Sequence, residues 1–284
     1  VTTQATTQAR DAVGVAKQLP ERLREHNLTL VSAGVGFYAF LAFVPSLIVI
    51  VTIYGLVADP SDIRRQVRDF ASALPDEVQR FIEQQITSIG SAGGAGVSIT
   101  LLIAVALALW SASGGMAALV TGVNVARDQT EPKSFVKKRG KALALTFGAV
   151  ILLVVMMFLI AALPSVLADA GLGTAGRVVF NILRWPVLAI VMVFGIGALY
   201  RVAVQEPKRA RFGVFTSGAV VGTLIWLVVS GLFAVYTANF ASYSKTYGSL
   251  ASIVVVLLWL YLSALAVLIG AEVDGIDSGQ APAR

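Results

Sequence analysis

The chain has 284 residues, 57% of them apolar and 13% charged, with no cysteine and a single histidine, His26. Soluble domains carry about 25% charged residues, so this composition excludes an ordinary water-soluble domain. The absence of thiols excludes disulfides, thiolate metal sites and a cysteine nucleophile. The formal charge of +6 would suit a nucleic-acid surface, but the distribution of basic residues assigns it to membrane topology instead.

In chain order, residues 1–7 are polar and uncharged and have too little apolar content to fold alone. From Gln8 to Leu28, Val13, Ala16, Leu19 and Leu23 recur at helical spacing beside Arg10, Lys17, Arg22 and Arg24. This pattern predicts an amphipathic helix lying on the membrane surface and broken at Pro20. Residues 1–30 lack the basic start and apolar run of a secretory signal, so the first apolar segment is expected to remain as an anchor.

A hydrocarbon core of about 30 Å needs about 20 apolar helical residues, and backbone in lipid must satisfy its own hydrogen bonds. Six segments meet that demand: Val35–Val57, Ile99–Val120, Ala142–Leu167, Val178–Tyr200, Gly213–Tyr236 and Leu250–Ala271. The last belongs to a 26-residue run without charge, Thr246 to Ala271. Of the 22 lysines and arginines, 15 fall on the side of the two termini, in the tails and in the second-to-third and fourth-to-fifth loops. The other seven are Arg64, Arg65, Arg68, Arg80, Arg177, Arg184 and Lys245. The positive-inside rule then predicts both termini in the cytoplasm.

The expected fold is all-α: a polytopic membrane protein with six transmembrane helices, an N-terminal interfacial helix and an external amphipathic helical hairpin. The tail and interfacial helix occupy 1–30, the transmembrane domain 31–275 and the C-terminal tail 276–284. The hairpin, 59–92 within the long external connection, carries two apolar stripes, Ile63-Val67-Phe70 and Val78-Phe81-Ile82-Ile86, hinged at Leu74-Pro75. It reads either as a fixed cap or as a lid over a cavity that opens outward.

Several stretches resemble the YihY/BrkB family of bacterial inner-membrane proteins. The strongest runs from Tyr236 through Asn239, Tyr243, Tyr247, Gly248 and Leu250, continues into Leu258-Trp259-Leu260-Tyr261 and ends in Gly270-Ala271-Glu272. Others are Tyr38 to Pro45-Ser46, Trp110-Ser111-Ala112-Ser113, Asn124 ahead of Arg127, and Tyr200-Arg201. The resemblance spans about residues 30–275 and implies a six-helix fold without a cofactor. It also brings an old ribonuclease label that looks like a misassignment, and links to serum resistance and, in one relative, to lipid A precursor export. Transport of a lipid or amphipathic solute is what those links suggest. The segment RDQTEPKSFVKKR after Val125-Ala126 departs from the family, so substrate handling there is not carried over.

Enzyme chemistry finds little support in these residues. A metal-dependent nuclease needs several converging His, Asp and Glu ligands, and His26 reads as an interfacial residue closing the surface helix. Ser46, Ser111 and Ser113 have no histidine base within plausible reach. The chain is therefore expected not to be an enzyme, and to hold no metal and no cofactor.

Glu272 follows the long uncharged run. It is either a headgroup-level carboxylate or a proton or cation site; its unfavourable place at a helix C-terminus predicts a partner such as Arg127 or Arg201. Arg184 interrupts the fourth span, either snorkelling to the interface or binding an anion. Asn239, Tyr243 and Tyr247, four apart, form one helical stripe that either anchors the chain or lines an entry path. Pro45 either kinks the first span or opens half-helix ends for an ion. Tyr38, Trp110 and Asn124 complete the candidate cavity lining. Gly218 and Gly222 permit tight packing within or between chains.

The expected partners are membrane lipids, with a lipid or small solute as substrate and no nucleic acid. A transporter or flippase-like exporter is one reading, a scaffold for an envelope partner protein another, and a membrane-embedded hydrolase a third.

Overall fold

A computed structural model describes residues 14–15, 17–57, 99–129, 134–157, 159, 174–204, 215–239 and 249–277. Among these residues all regular structure is helical. A short helix, α1 (Lys17–Glu25), precedes six long ones: α2 (Leu28–Val57), α3 (Ile99–Ala126), α4 (Phe135–Met157), α5 (Thr174–Ala203), α6 (Ser217–Asn239) and α7 (Ser249–Asp277). The expected external hairpin, 59–92, lies outside the described residues.

Among the described residues, five helices are long and apolar enough to cross a membrane by themselves. A sixth passes only when α2 is joined with α1, a pair bent by 62°. The chain is thus a polytopic helical membrane protein. Each long helix packs against its neighbour in sequence, and α7 returns to α2, so the bundle closes; α3 also touches α5 and α7.

One proline expectation needs correction, and another loses one of its two alternatives. Helix α1 runs unbroken through Pro20. The break falls instead at His26-Asn27, where Asn27 takes φ 47°, a left-handed conformation that asparagine adopts more readily than most residues. Helix α1 buries one of its basic residues, Arg22, 3% exposed, and Leu23 packs on the core, while Lys17 and Arg24 are exposed. Likewise α2 continues through Pro45, so no half-helix ends form there. The next hydroxyl, Ser46, donates to Ala42 O at 2.7 Å and supplies a polar contact beside the missing N–H.

The helices also run deeper at one end than their apolar stretches predict. Helices α3, α5 and α7 extend to Ala126, Ala203 and Asp277, and the buried core gathers there, around Leu28, Val123, Ala126, Tyr200, Ala203 and Leu268. This is the basic end of the bundle. Elsewhere large apolar side chains such as Phe37, Leu107, Ile190 and Val228 point outward, as lipid-facing positions require.

Small residues set the tightest crossing. A Cβ on Gly270 would come within 2.9 Å of Gly222 Cα and equally crowd Gly218 O and Tyr200 Oη, so α6 and α7 meet backbone to backbone. The packing expected of Gly218 and Gly222 therefore occurs within the chain. Trp226 of α6 donates from Nε1 to Ser263 Oγ of α7 at 3.1 Å, an interhelical hydrogen bond of the kind that joins helices in lipid. Gly115 plays a similar part in α3, against Ala39 and Ala42 of α2.

Candidate functional site

Two acidic residues near the end of α7 organise the basic end. Glu272 and Asp274 are two positions apart, so at about 100° per residue they point to opposite sides of the helix. Glu272 is fully buried. Its Oε1 meets His26 Nδ1 at hydrogen-bond range, and its Oε2 lies 3.6 Å from Arg22 Nη1. His26 Nε2 lies 2.9 Å from Asp128 Oδ1, and Arg22 Nη1 donates to Asp128 Oδ2 at 3.3 Å. Two basic and two acidic side chains thus join α1 and the turn after it, Asp128 beyond the end of α3, and α7.

Asp274 faces the other way. Its Oδ2 lies 3.4 Å from Arg127 Nη1, with both side chains nearly sealed from solvent, and its Oδ1 accepts from the backbone N–H of Gly218 at 3.2 Å. That N–H belongs to the first turn of α6, where the helix dipole favours an anion. Thr216 caps the same helix by accepting from Ala219 N at 3.0 Å. Tyr200, 1% exposed, donates its hydroxyl to Val267 O and wedges into the α6–α7 crossing. Lys141 of α4 reaches Ala203 O and Val204 O, each at 3.4 Å, placing a cation on the last carbonyls of α5.

The expected partners of Glu272 are corrected by this geometry. Arg127 belongs to Asp274, because the two-residue offset puts Glu272 on another face, and Arg201 is exposed. The partners of Glu272 are His26 and Arg22, brought back by the bend after α1. His26, directly after the end of α1, is turned inward: its side chain is 14% exposed between two carboxylates. Burial alone would lower its pKa, but the hydrogen bonds and charges of Glu272 and Asp128 outweigh burial and hold it above the ordinary 6.5. Neither Arg22, Asp128 nor Asp274 stands out as a site residue in the sequence.

The remaining candidates divide. Asn124 is buried at the same end, and its carboxamide makes no hydrogen bond among the described residues. Tyr38 and Trp110 lie elsewhere, both about half exposed. Arg139 of α4 stacks over the Trp110 ring at 4.3 Å and donates to Trp110 O. Beside them a groove of ≈ 450 Å³ runs between α2, α3 and the start of α4. Val31, Gly34, Val35 and Tyr38 form one wall, Gly114, Ala117, Ala118 and Thr121 another, with Lys138 and Arg139 at its edge. Pro45 does not line this groove. Ser46 and Ser113 each return their hydroxyl to their own helix, Ser113 to Trp110 O at 2.6 Å.

Tyr243 and Tyr247, and the side chains of Asn239 and Arg184, lie outside the described residues. So does Gly248. Among the described residues no three His, Cys, Asp or Glu side chains converge in a metal-holding geometry.

A closed bundle of long apolar helices with a buried charge network at one end defines an integral membrane protein. The chain belongs to the family described as virulence factor BrkB, whose model matches residues 19–280. It is 31% identical to the ribonuclease-like protein YfkH of Bacillus subtilis strain 168, over 92% of this chain and 94% of that relative. It is 28% identical to a UPF0761 membrane protein of Rhodospirillum centenum, over 93% of this chain and 57% of that longer relative. A UPF0761 membrane protein of Alteromonas mediterranea is 26% identical, over 93% and 87%. No solved structure matches. The family assignment agrees with the resemblance carried by the Tyr38, Trp110 and Tyr236–Glu272 stretches.

Proposed function

We propose that the protein moves an anionic amphipath, a lipid or small solute, across a bacterial inner membrane, with the basic end in the cytoplasm. The observation that carries this reading is the groove between α2, α3 and α4. Its ≈ 450 Å³ is within the range of pockets that hold small molecules, about 300–1,000 Å³. Its walls are small and apolar, suited to acyl or ring carbon, and its edge carries Lys138 and Arg139, suited to phosphate or carboxylate. Phe135 and Val136, 70% and 76% exposed, flank these cations and support a mouth at headgroup level.

Flux across proteoliposomes tests the proposal. Fluorescent anionic and zwitterionic lipid analogues, with anionic osmolytes as a second panel, are followed with wild type and with Lys138→Gln/Arg139→Gln. Faster movement of an anionic analogue than in empty vesicles, lost in the double variant, is expected. Equal rates with and without protein across both panels overturn the reading.

The name borne by YfkH offers a second reading, RNA cleavage. We read this chain as a non-enzyme. Degradation of RNA by the purified protein, abolished by a single substitution, would reverse that reading. The scaffold reading rests mainly on the external hairpin, outside the described residues.

A further inference from the structure

We propose that α1 is a proton-operated clamp: it docks on the ends of α3 and α7 while His26 shares two protons with Glu272 and Asp128, and it releases when one of those protons leaves. This inference stands apart from the transport reading.

The proton count comes from geometry. Both ring nitrogens of His26 face carboxylate oxygens, Nδ1 toward Glu272 and Nε2 toward Asp128. Two nitrogen-to-oxygen hydrogen bonds need two protons, whichever heavy atom carries each. A neutral imidazole between two carboxylates supplies one. Removing the other sets a lone pair against a carboxylate oxygen and leaves the group with one more negative charge than positive.

The surrounding charges make this a balanced unit. From α1, Arg22 meets both carboxylates; the other ionisable residues of that helix, Lys17, Glu21, Arg24 and Glu25, are exposed. From the end of α3 come Asp128 and Arg127, the latter committed to Asp274. From α7 comes Glu272. Helix α2 has no charged residue. With His26 as imidazolium the four groups sum to zero, as a nearly dry site requires.

The hinge is present as well. Asn27 at φ 47° donates its N–H to Arg24 O at 3.1 Å, ending α1. Its own carbonyl accepts from Leu30 and Val31 at 2.9 and 3.0 Å, starting α2. Two residues therefore absorb the whole 62° bend, and α1 can turn about them without unwinding either helix. Apart from the charged cluster, Leu23 supplies an apolar contact to the core.

The sign follows from linkage. Docking raises the His26 pKa above 6.5, so its contribution is complete below that value and disappears as pH rises through the docked pKa. Each unit of elevation is a tenfold change in the docking constant between the two limits.

Because the chain has no cysteine, spin labels at Arg24→Cys and Arg201→Cys, both exposed, report the distance between α1 and the end of α5. Electron–electron distance measurements in lipid nanodiscs from pH 5.5 to 9 are expected to show one short distance at low pH. A longer population should grow in as pH rises, with its midpoint above 6.5. His26→Gln in the same labelled chain is expected to abolish the dependence, and Asp128→Asn to weaken it. An unchanged distance distribution in the labelled chain across this range overturns the clamp, as does a dependence that survives His26→Gln.

Discussion

His26 and Glu272 stand 246 positions apart in the chain, yet the imidazole of one meets the carboxylate of the other at the basic end of the bundle. The contact joins the first helix to the last. It also answers a misfit visible in the sequence, since a carboxylate near the C-terminus of α7 opposes the helix dipole and needs a cation. Two are present, His26 and Arg22.

The second acid of α7 gives a contrast between two arginines. Arg127→Ala leaves Asp274 buried without its cation, which costs about 3–5 kcal/mol when a buried pair is broken. Arg201→Ala, at an exposed position, is expected to stay within about 0.5 kcal/mol. Thermal unfolding in mild detergent distinguishes them. Joint replacement of Arg127 and Asp274 by leucine should recover much of the loss, because no charge is then stranded.

Stability should carry the mark of the single histidine. Its pKa is raised by Glu272 and Asp128 against the effect of burial, so its contribution is full below about pH 6.5 and is lost above the raised value. Melting curves of wild type minus His26→Gln should therefore show their largest gap near pH 6 and a smaller one at pH 9. A gap that widens with pH would contradict the assignment.

The helix crossing at Gly270 should be intolerant of bulk. Gly270→Val places carbon against Gly222 Cα and Tyr200 Oη, and overpacking of this kind costs about 1–3 kcal/mol or more. At Gly231 a Cβ would meet no neighbour within 4 Å among the described residues, so Gly231→Ala should be neutral or slightly stabilising. The fraction of folded protein after heating in detergent compares the two.

The groove makes a binding prediction separate from flux. Native mass spectrometry of wild type should retain an anionic lipid through mild desolvation. Lys138→Gln/Arg139→Gln should retain at least about tenfold less, the loss of roughly 1.4 kcal/mol of charge-assisted contact. Equal retention by both would remove these two cations from the site.

The architecture was legible because the bilayer imposes a length on every span. Apolar runs, one of them interrupted by Arg184, located all six long helices, and the charge asymmetry grouped the ends that the structure brings together at Asp128, Lys141, Gly218 and Glu272. Helix ends were less legible. Buried charges at Glu272 and Asp274 end an apolar run but not the helix that carries it. Glu272 was recognisable as an ionisable group beside a long span. Its partners were not, because pairing depends on a two-residue turn at Asn27, and His26 alone in a polar tail looks like a surface residue. The Glu272-Val273-Asp274 spacing carried the missed signal: opposite faces demand two separate partners. The groove escaped for another reason, since its walls are small residues that read in sequence only as close packing.

The pairing of His26 is tested most directly by nitrogen NMR of protein labelled with ¹⁵N-histidine, where one residue supplies the whole spectrum. In nanodiscs at pH 5.5 both ring nitrogens are predicted to show protonated shifts, and the titration midpoint should lie above 6.5 and fall on Glu272→Gln. A midpoint at or below 6.5, unmoved by Glu272→Gln, would contradict the account.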